Sequence, residues 1–241
     1  MKVISFRICP FVQRVTALLE AKGLAYDIEY ISLSDKPRWF LDLSPHGQVP
    51  VLITETGQAL FESDAIAEYL DEAYPPLLPG LTPEEKATHR AWSALASKNY
   101  LVQCGAQRSP DAATLAERGA RLGTAFDRIG RQLGATRYFA GDQLGMVDIA
   151  WLPLVHRAQI IARETGYDFL GDRPGLKAWQ QSLMATGLAE KSVAPDFEQA
   201  FADFYLSDQT YLGRGGDVPR AACCGEARPR GRWIGPRAPG G

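Results

Sequence analysis

A chain of 241 residues in which 46% are hydrophobic and 22% are charged has enough material for one large globular domain or two smaller ones. Its formal net charge of −2 argues against a general nucleic-acid-binding protein, which would carry a basic excess. No apolar run has the length of a bilayer span, and the N-terminus lacks a secretory pattern. We therefore expect a cytoplasmic protein without stable membrane association.

The first third of the chain alternates short strand patterns with helical patterns. In chain order these are a strand over 2–6, a helix over 11–22, a strand over 26–33, a short helix ending near 43, strands over 49–53 and 59–61, and a helix over 64–74. The order βαβαββα predicts an α/β domain in which helices cover one mixed sheet.

The composition and the hydrophobic pattern of the sequence change after this α/β region. Residues 76–82 are rich in proline and read as a linker, because proline cannot continue a helix. Strand patterns are missing from 83–206, where long helical patterns predict an all-α domain. Residues 207–241 carry six arginines against three acidic residues, with little apolar content, and are predicted to be a disordered tail. The domain at the N-terminal end accordingly covers 1–75.

The cysteines and histidines show no metal-binding or disulfide pattern. Two cysteines stand alone and two are neighbours near the C-terminus, and the three histidines are scattered: Cys9, Cys104, Cys223, Cys224, His46, His89 and His156. Neither zinc-ligand spacing nor a disulfide framework is present, so no metal is expected. Free thiols suit a reducing compartment.

Cys9 stands where a strand gives way to a helix, directly before Pro10. Unpaired N–H groups and the dipole of a helix N-terminus stabilise a thiolate, which is the nucleophilic form of cysteine. Arg7 and Arg14 are near in sequence and add positive charge. A reactive Cys9 is therefore favoured over a small buried apolar side chain. Since position 12 is Val12 and not a second cysteine, an external thiol must resolve any disulfide at Cys9, and glutathione is the obvious candidate.

Several motifs occur together in this order. They are 9–14 (CPFVQR), 35–40 (DKPRWF), 44–52 (SPHGQVPVL), 61–63 (FES) and 68–75 (EYLDEAYP). As an ordered set they resemble the cytosolic glutathione S-transferase family, and within it the cysteine-type members, namely omega-class transferases and plant dehydroascorbate reductases. The resemblance is dense in the N-terminal third and holds only in outline beyond it. It implies the glutathione transferase fold, with a thioredoxin-like N-terminal domain and an all-α C-terminal domain.

The resemblance also implies how glutathione, as a co-substrate, would be held. The main-chain N–H and C=O of Val49 would pair with the cysteinyl part, with Pro50 in the cis form. Glu62 and Ser63 would bind the γ-glutamyl end, and Lys36 would approach the glycyl carboxylate. From the residues alone, Val49-Pro50 also fits an edge strand, and Ser63 also fits a plain helix N-cap.

For function, the resemblance implies a glutathione-dependent thiol transferase or reductase in which Cys9 forms a mixed disulfide with glutathione. Its second substrate would be a small electrophile, dehydroascorbate or a glutathionylated thiol, in a pocket that includes Phe11 and Tyr100; Trp92 and Lys98 are weaker candidates for it. A homodimer is also implied. Ser5 could suggest a serine-type enzyme, but it lies within the first strand and Cys9 holds the motif position.

Three alternatives stay open at this stage. One is a conjugating glutathione transferase, and the second is a non-catalytic binding or regulatory protein of the same fold, against which Cys9, Lys36, Glu62 and Ser63 all count. The third is a chloride-channel-like protein that moves onto membranes, which the polar residues of the first helix disfavour.

A further motif lies in the helical half, at Gly145-Met146-Val147-Asp148. Family members usually have serine or threonine where Gly145 stands, which with an acidic residue three positions later forms a capping box. Gly145 has no side-chain oxygen, so a weaker cap is expected here, and Asp148 is interpreted as structural.

Overall fold

A computed structural model describes residues 1–134 and 136–215 of the chain. The N-terminal part contains β1 (Lys2–Ser5), α1 (Pro10–Ala21), β2 (Asp27–Tyr30), α2 (Arg38–Leu43), β3 (Val51–Ile53), β4 (Ala59–Phe61) and α3 (Ser63–Ala73). This is the predicted order βαβαββα. The predicted strands over 26–33 and 49–53 are shorter in the structure, and α1 begins at Pro10, whose fixed φ suits a first helical position.

The strands of this part form one mixed sheet in the order β2-β1-β3-β4. β1 runs parallel to β2 and antiparallel to β3, and β3 runs antiparallel to β4. Val3 and Leu52 point to the face that α1 and α3 cover, whereas Ile4 and Val51 pack with Phe40 on the other face. The alternation along each strand thus buries both faces of the sheet.

The rest of the described chain is helical. It comprises α4 (Pro83–Gln107), α5 (Ala112–Gln132), α6 (Met146–Thr165), α7 (Pro174–Met184), α8 (Leu188–Lys191) and α9 (Phe197–Tyr205). Thr82 and Glu85 form a capping box at the start of α4, with Pro83 as its first residue. The predicted fold class, a thioredoxin-like domain followed by an all-α domain, is confirmed.

Helix α1 joins the two parts, since it packs on the sheet and against α6 and α8 of the helical part. Its apolar residues Val15, Leu18 and Leu19 are fully buried. On another side of α1, the buried Arg14 forms an ion pair with Asp64 of α3. Asp64 also accepts a hydrogen bond of 3.0 Å from Ser97 of α4. This connection fixes the start of α3 relative to α1 and to the helical part.

The cap of α6 explains the glycine at position 145. Asp148 accepts hydrogen bonds from the N–H groups of Gly145 (2.9 Å) and Phe139 (2.9 Å) and from Nε1 of Trp179 (2.8 Å). A Cβ atom on Gly145 would lie 2.7 Å from Cδ1 of Leu78. The linker residue Leu78 therefore occupies the space that a serine or threonine cap would need, and Asp148 compensates by holding two main-chain segments and a core tryptophan.

The packed structure extends past residue 206, where the predicted tail begins. Leu212 is buried, and the N–H of Tyr211 donates to the carbonyl of Ser109 at 2.8 Å. For 207–215 the expectation of disorder is therefore wrong. Burial of the Leu212 side chain offsets the conformational entropy that this segment loses when it becomes ordered. The remainder of the predicted tail, 216–241, lies outside the described residues. The helices among the described residues include none with the length and hydropathy of a membrane span.

Candidate active site

Cys9 is the N-cap residue of α1, directly before the proline that starts the helix. Its sulfur forms no capping hydrogen bond within the described chain, yet the main-chain amides of Val12 and Phe11 lie near enough to lower the pKa of the thiol. The side chain is half-buried at the edge of a cavity between the two domains. The predicted placement of Cys9 at a helix N-terminus thus corresponds to its position in the structure.

The predicted low pKa of Cys9 does not follow from this placement. Burial raises the pKa of the thiol to about 11, and the lowering effects of the Val12 and Phe11 amides and of Arg157 offset only part of that rise. The reason is desolvation, which disfavours the charged form and outweighs two amide dipoles. Burial thus outweighs the helix N-terminus and Arg157 in setting the pKa of the Cys9 thiol.

The cation beside Cys9 is Arg157, which the sequence analysis missed. Arg7 instead pairs with Asp196 at 2.6 Å, and Arg14 pairs with Asp64. Arg157 lies on α6, fully buried, and donates to the carbonyl of Ile8 at 3.1 Å, next to Cys9 in the chain. A sequence signal existed, since Arg157 interrupts the long apolar pattern of α6, but only the packing of α6 against α1 shows what it faces.

Buried polar side chains surround Arg157. It donates to the carbonyl of Pro153 at 3.1 Å and to the side-chain oxygen of Gln13, whose amide nitrogen lies 2.9 Å from Nδ1 of His156. No carboxylate of the described residues pairs with Arg157, and its Nε has no hydrogen-bond partner there. A buried guanidinium without a carboxylate is costly, so its charge is available to a negative group in the neighbouring cavity.

Four of the five residues predicted to bind glutathione line a small groove, which Phe11 connects to the cavity at Cys9. The groove is lined by Phe11, Ser44, His46, Gln48, Val49, Pro50, Phe61, Glu62 and Ser63. The Val49–Pro50 peptide bond is cis. Among the described residues, none forms a hydrogen bond with the main-chain N–H or C=O of Val49. Both groups are therefore free to pair with an extended ligand.

Glu62 occupies an unusual backbone conformation at the end of this groove. Its φ is 66° and its ψ is 116°, and it is the N-cap residue of α3. The alternative reading of Ser63 as a plain N-cap does not hold, because Ser63 is the first residue of α3 and Glu62 precedes the helix. Residues other than glycine rarely adopt a positive φ, and such strain is common at binding sites. The turn presents the exposed Glu62 carboxylate beside the N–H groups at the start of α3, a combination that suits an amino acid with both charges.

Lys36 is absent from the described residues that line the groove, but it lies close to Gly47 in the turn before it. Its Nζ is 3.6 Å from the position of a Cβ built on Gly47, and Gly47 has a φ of +58° in the turn that leads to Val49. His46 lines the groove too, with its ring 6.3 Å from that of Phe61. Of the predicted set, Val49, Pro50, Glu62 and Ser63 therefore line one groove, whereas Lys36 lies near Gly47 and does not line it.

A second, larger cavity of about 600 Å³ opens on the other side of Cys9. Phe11 lines both the cavity and the groove. Tyr100, the other predicted pocket residue, does not line the cavity: it is fully buried beneath Phe11, with ring centroids 4.9 Å apart. Tyr100 also donates to the carbonyl of Ala150 on α6, so it supports the pocket floor.

The cavity has further lining residues that sequence reasoning did not find. They come from α4, α5 and α9: Leu101, Cys104, Gly105, Arg108, Arg118, Phe204 and Tyr205. Trp92 and Lys98, the weaker candidates, are not among them. Cys104, treated as an isolated cysteine, shares the cavity with Cys9. The described residues contain no cluster of three or more histidine, cysteine or acidic residues suited to a metal ion.

Comparison with known proteins matches this arrangement. Residues 8–73 match the family description "Glutathione S-transferase, N-terminal domain", and residues 112–181 match "Glutathione S-transferase, C-terminal domain". Glutathione S-transferase omega-1 of Sus scrofa is 34% identical over 213 residues, covering 86% of this chain and 87% of the relative. The chain belongs to the glutathione S-transferase family, and its resemblance to the omega class is confirmed.

Solved structures agree with the sequence relatives. Glutathione transferase Omega 3C from Trametes versicolor superposes with a TM-score of 0.70 and 26% identity, covering 84% of this chain and 89% of that one. Rice GST1 in complex with glutathione gives a TM-score of 0.73 and 25% identity, with 84% and 93% covered. The protein is thus a glutathione transferase with omega-class relatives.

Proposed function

We propose that the protein is a glutathione-dependent thiol transferase or reductase that acts through Cys9. The observation that carries the proposal is that Cys9 lines a cavity and that Phe11, two residues further on, lines both this cavity and the groove. On one side is a groove with free main-chain groups at Val49, and on the other is a cavity large enough for a small molecule. A sulfur at this junction can react with a glutathionyl sulfur while the second substrate occupies the cavity.

In the proposed complex, glutathione lies along the groove. Its cysteinyl part pairs with the main chain of Val49, which would direct the thiol towards Cys9. Its γ-glutamyl ammonium pairs with Glu62, and the carboxylate beside it accepts hydrogen bonds from Ser63 at the start of α3. Lys36 attracts the glycyl carboxylate at the other end.

The proposed reaction is thiol–disulfide exchange. The Cys9 thiolate attacks the glutathionyl sulfur of a glutathionylated thiol, forms the Cys9–glutathione disulfide and releases the substrate thiolate, which takes up a proton. A second glutathione thiolate then attacks the sulfur of the bound glutathionyl group. This step regenerates Cys9 and produces glutathione disulfide. With dehydroascorbate, two molecules of free glutathione together supply the two electrons and two protons, giving ascorbate and glutathione disulfide.

The raised pKa of Cys9 affects this chemistry in two opposing ways. Each unit of increase lowers the thiolate fraction at neutral pH tenfold, but it raises the nucleophilicity of the thiolate about threefold. The net loss of rate is therefore about threefold per unit. The amides of Val12 and Phe11 and the charge of Arg157 act against the desolvation that causes this loss.

The same raised pKa favours one competing function, glutathione conjugation. A neutral Cys9 thiol can donate a hydrogen bond to the thiolate of bound glutathione, as a hydroxyl would, and leave that thiolate to attack an electrophile. In such an enzyme Cys9 does not become covalently modified.

An assay panel on the wild type and on Cys9→Ser distinguishes the two functions. The panel compares thiol transfer, dehydroascorbate reduction and aromatic conjugation, each with glutathione. We expect the first two to dominate in the wild type and to fall by on the order of a thousandfold in Cys9→Ser, since the nucleophile is lost. Ser5→Ala is the matched control, because Ser5 is buried in β1, and it should keep wild-type activity. Dominant conjugation that rises in Cys9→Ser would support the competing function, and glutathione binding without turnover would indicate a binding protein.

We also propose that the protein forms a homodimer, as the family resemblance implies. Phe61 lies on the edge strand β4 and is 40% exposed, so it offers an apolar contact for a second copy. Light scattering after gel filtration should give twice the mass of the chain, and a monomer at micromolar concentration would contradict the proposal.

A further inference from the structure

The cavity beside Cys9 combines apolar walls with positive charge. Its large side chains include Phe6, Phe11, Leu101, Phe204 and Tyr205, and Leu101 is 68% exposed at the rim. The charged residues among those that line it are Arg108 and Arg118. None of the described lining residues is acidic. This composition suits a ligand with an apolar body and a negative charge.

The two arginines are held at the cavity by contacts that leave their charges uncompensated. Arg108 ends α4 and stacks over the ring of Phe204, 5.2 Å from its centroid. Arg118 reaches from α5 and donates to the carbonyl of Gly105, at 2.7 Å, one turn before Arg108. Neither forms an ion pair with a described carboxylate. The acid near Arg118 is Asp111, whose side chain accepts a hydrogen bond from the N–H of Thr114 at 2.8 Å to cap α5.

A third positive charge lies in the protein wall behind Cys9. Arg157 is fully buried, without a carboxylate partner among the described residues, and its Nε has no hydrogen bond there. The ionisable groups that face it are Cys9, Cys104, Tyr100 and Tyr205. Burial raises the pKa of Cys9 and of both tyrosines, which favours their uncharged forms beside Arg157. Arg108, Arg118 and Arg157 form no ion pair with a described carboxylate, so a bound anion would offset part of this positive charge.

We infer that the second substrate of this enzyme is an aromatic or otherwise apolar molecule that carries a carboxylate, bound with its apolar body against Phe11 and Phe204 and its carboxylate at Arg108 and Arg118. This inference rests on the proposed function. It assigns the cavity to the part of the substrate that is released when Cys9 attacks the glutathionyl sulfur. A guanidinium binds a carboxylate through two parallel hydrogen bonds, and the ring of Phe204 already holds one guanidinium in place. A small neutral substrate would use neither the apolar walls of the cavity nor the charge of its arginines.

Two matched substrates test the inference. They are the mixed disulfides of glutathione with 4-mercaptobenzoate and with 4-mercaptobenzamide, which differ in charge but little in shape. Cys9 attacks the glutathionyl sulfur in each case, and the aromatic thiolate leaves into the cavity and takes up a proton. Because the ratio of the two kcat/KM values is compared between variants, any difference in leaving-group reactivity cancels.

We expect the carboxylate-to-amide ratio of kcat/KM to be about tenfold higher in the wild type than in a variant without the recognising arginine, the effect of one charge-assisted hydrogen-bonded pair. Arg118→Gln should remove most of this preference by lowering kcat/KM for the carboxylate substrate alone. Arg108→Gln should have a smaller effect, since Arg108 is exposed to solvent that weakens its field. Arg121→Gln is the control: Arg121 lies on the same helix, α5, but pairs with Glu117 at 2.6 Å and does not line the cavity.

Equilibrium binding keeps this test separate from the test of the proposed function. The unreactive ligands 4-(methylthio)benzoate and 4-(methylthio)benzamide are titrated into the glutathione-bound enzyme, with thermal unfolding confirming that each variant is folded. Tighter binding of the carboxylate, lost in Arg118→Gln, supports the inference even if no mixed disulfide is turned over. Equal affinity for both ligands, or a preference that Arg118→Gln leaves intact, overturns it. Turnover that survives in Cys9→Ser would instead contradict the proposed function.

Discussion

The two sides of the cleft around Cys9 offer different kinds of group to a ligand. The groove side uses main-chain groups and short-range motifs, namely the free N–H and C=O of Val49, the turn at Glu62 and the start of α3 at Ser63. The cavity side uses side chains from distant helices, such as Arg118, and buried polar groups stand behind it, such as Arg157.

This difference indicates a division of labour. Main-chain recognition is tolerant of substitution and suits the ligand common to the family, whereas in our proposal the side chains of the cavity select the second substrate. The two sides also differ in the kind of unfavourable free energy that each carries. The groove side carries backbone strain at Glu62, and the cavity side carries desolvated charge at Arg157. Each cost gives a way to test the comparison.

The largest expected effect concerns the buried polar groups on the cavity side, at acid pH. Burial lowers the pKa of His156 to about 3, well below its ordinary value, so the unfolded chain binds a proton that the folded one does not. Stability is therefore complete above about pH 6.5 and falls by about 1.4 kcal/mol per pH unit below it. Urea unfolding between about pH 7 and 4 measures this slope. His156→Gln should flatten it, and the exposed His46→Gln should not; equal slopes in all three proteins would contradict the assignment.

The second prediction concerns the reactivity of Cys9 in the free enzyme. With a pKa of about 11, its alkylation by iodoacetamide should rise about tenfold per pH unit between about pH 7 and 9, without a plateau. Peptide mass spectrometry separates the labelling of Cys9 from that of Cys104. Rapid labelling that is already constant near neutral pH would mean that the helix N-terminus outweighs burial after all, and that the cavity side imposes no desolvation cost.

The third prediction separates binding from stability on the groove side. Glu62→Gly should relieve the positive φ and raise the free energy of unfolding by about 1 kcal/mol, while weakening glutathione binding about tenfold through loss of the carboxylate. Glu62→Gln is the matched control, since it removes the charge but keeps the strain: binding should weaken without a gain in stability. Calorimetric titration and urea unfolding measure the two effects. A glycine variant that gains no stability would show that the turn is unstrained.

The smallest expected effect tests the charge of Arg157. In Arg157→Met the pKa of Cys9 should rise further, because Arg157 lowers it in the wild type, and alkylation near pH 8 should slow by a factor of about three to ten. Arg7→Gln serves as the control, as Arg7 pairs with Asp196 and lies over the ring of Tyr30 at 4.7 Å. Slower labelling in Arg7→Gln but not in Arg157→Met would contradict this prediction. It would mean that Arg7, the arginine near Cys9 in sequence, lowers the pKa of Cys9.

The groove could be predicted from sequence far better than the cavity. Cys9 before Pro10, the Val49-Pro50 pair and Glu62-Ser63 are contiguous motifs whose local geometry follows from the strand and helix boundaries beside them. Even so, the sequence could not show that the N-cap residue of α3 is Glu62 and that the helix already begins at Ser63. The cavity depends on packing: Cys104, Arg118 and Phe204 are far apart in the chain, and nothing in their local sequence indicates a common pocket.

By itself, the sequence determined the order of the elements, the domain change after the proline-rich linker and the place of Cys9 at the start of α1. These are properties of neighbouring residues, set by periodicity, proline and glycine. Only the tertiary structure decided the ionisation of Cys9, the identity of the cation beside it and the charge of the cavity. Desolvation and Coulomb interactions depend on what is packed within a few ångströms, and α6 brings Arg157 to Cys9 across nearly 150 residues of chain.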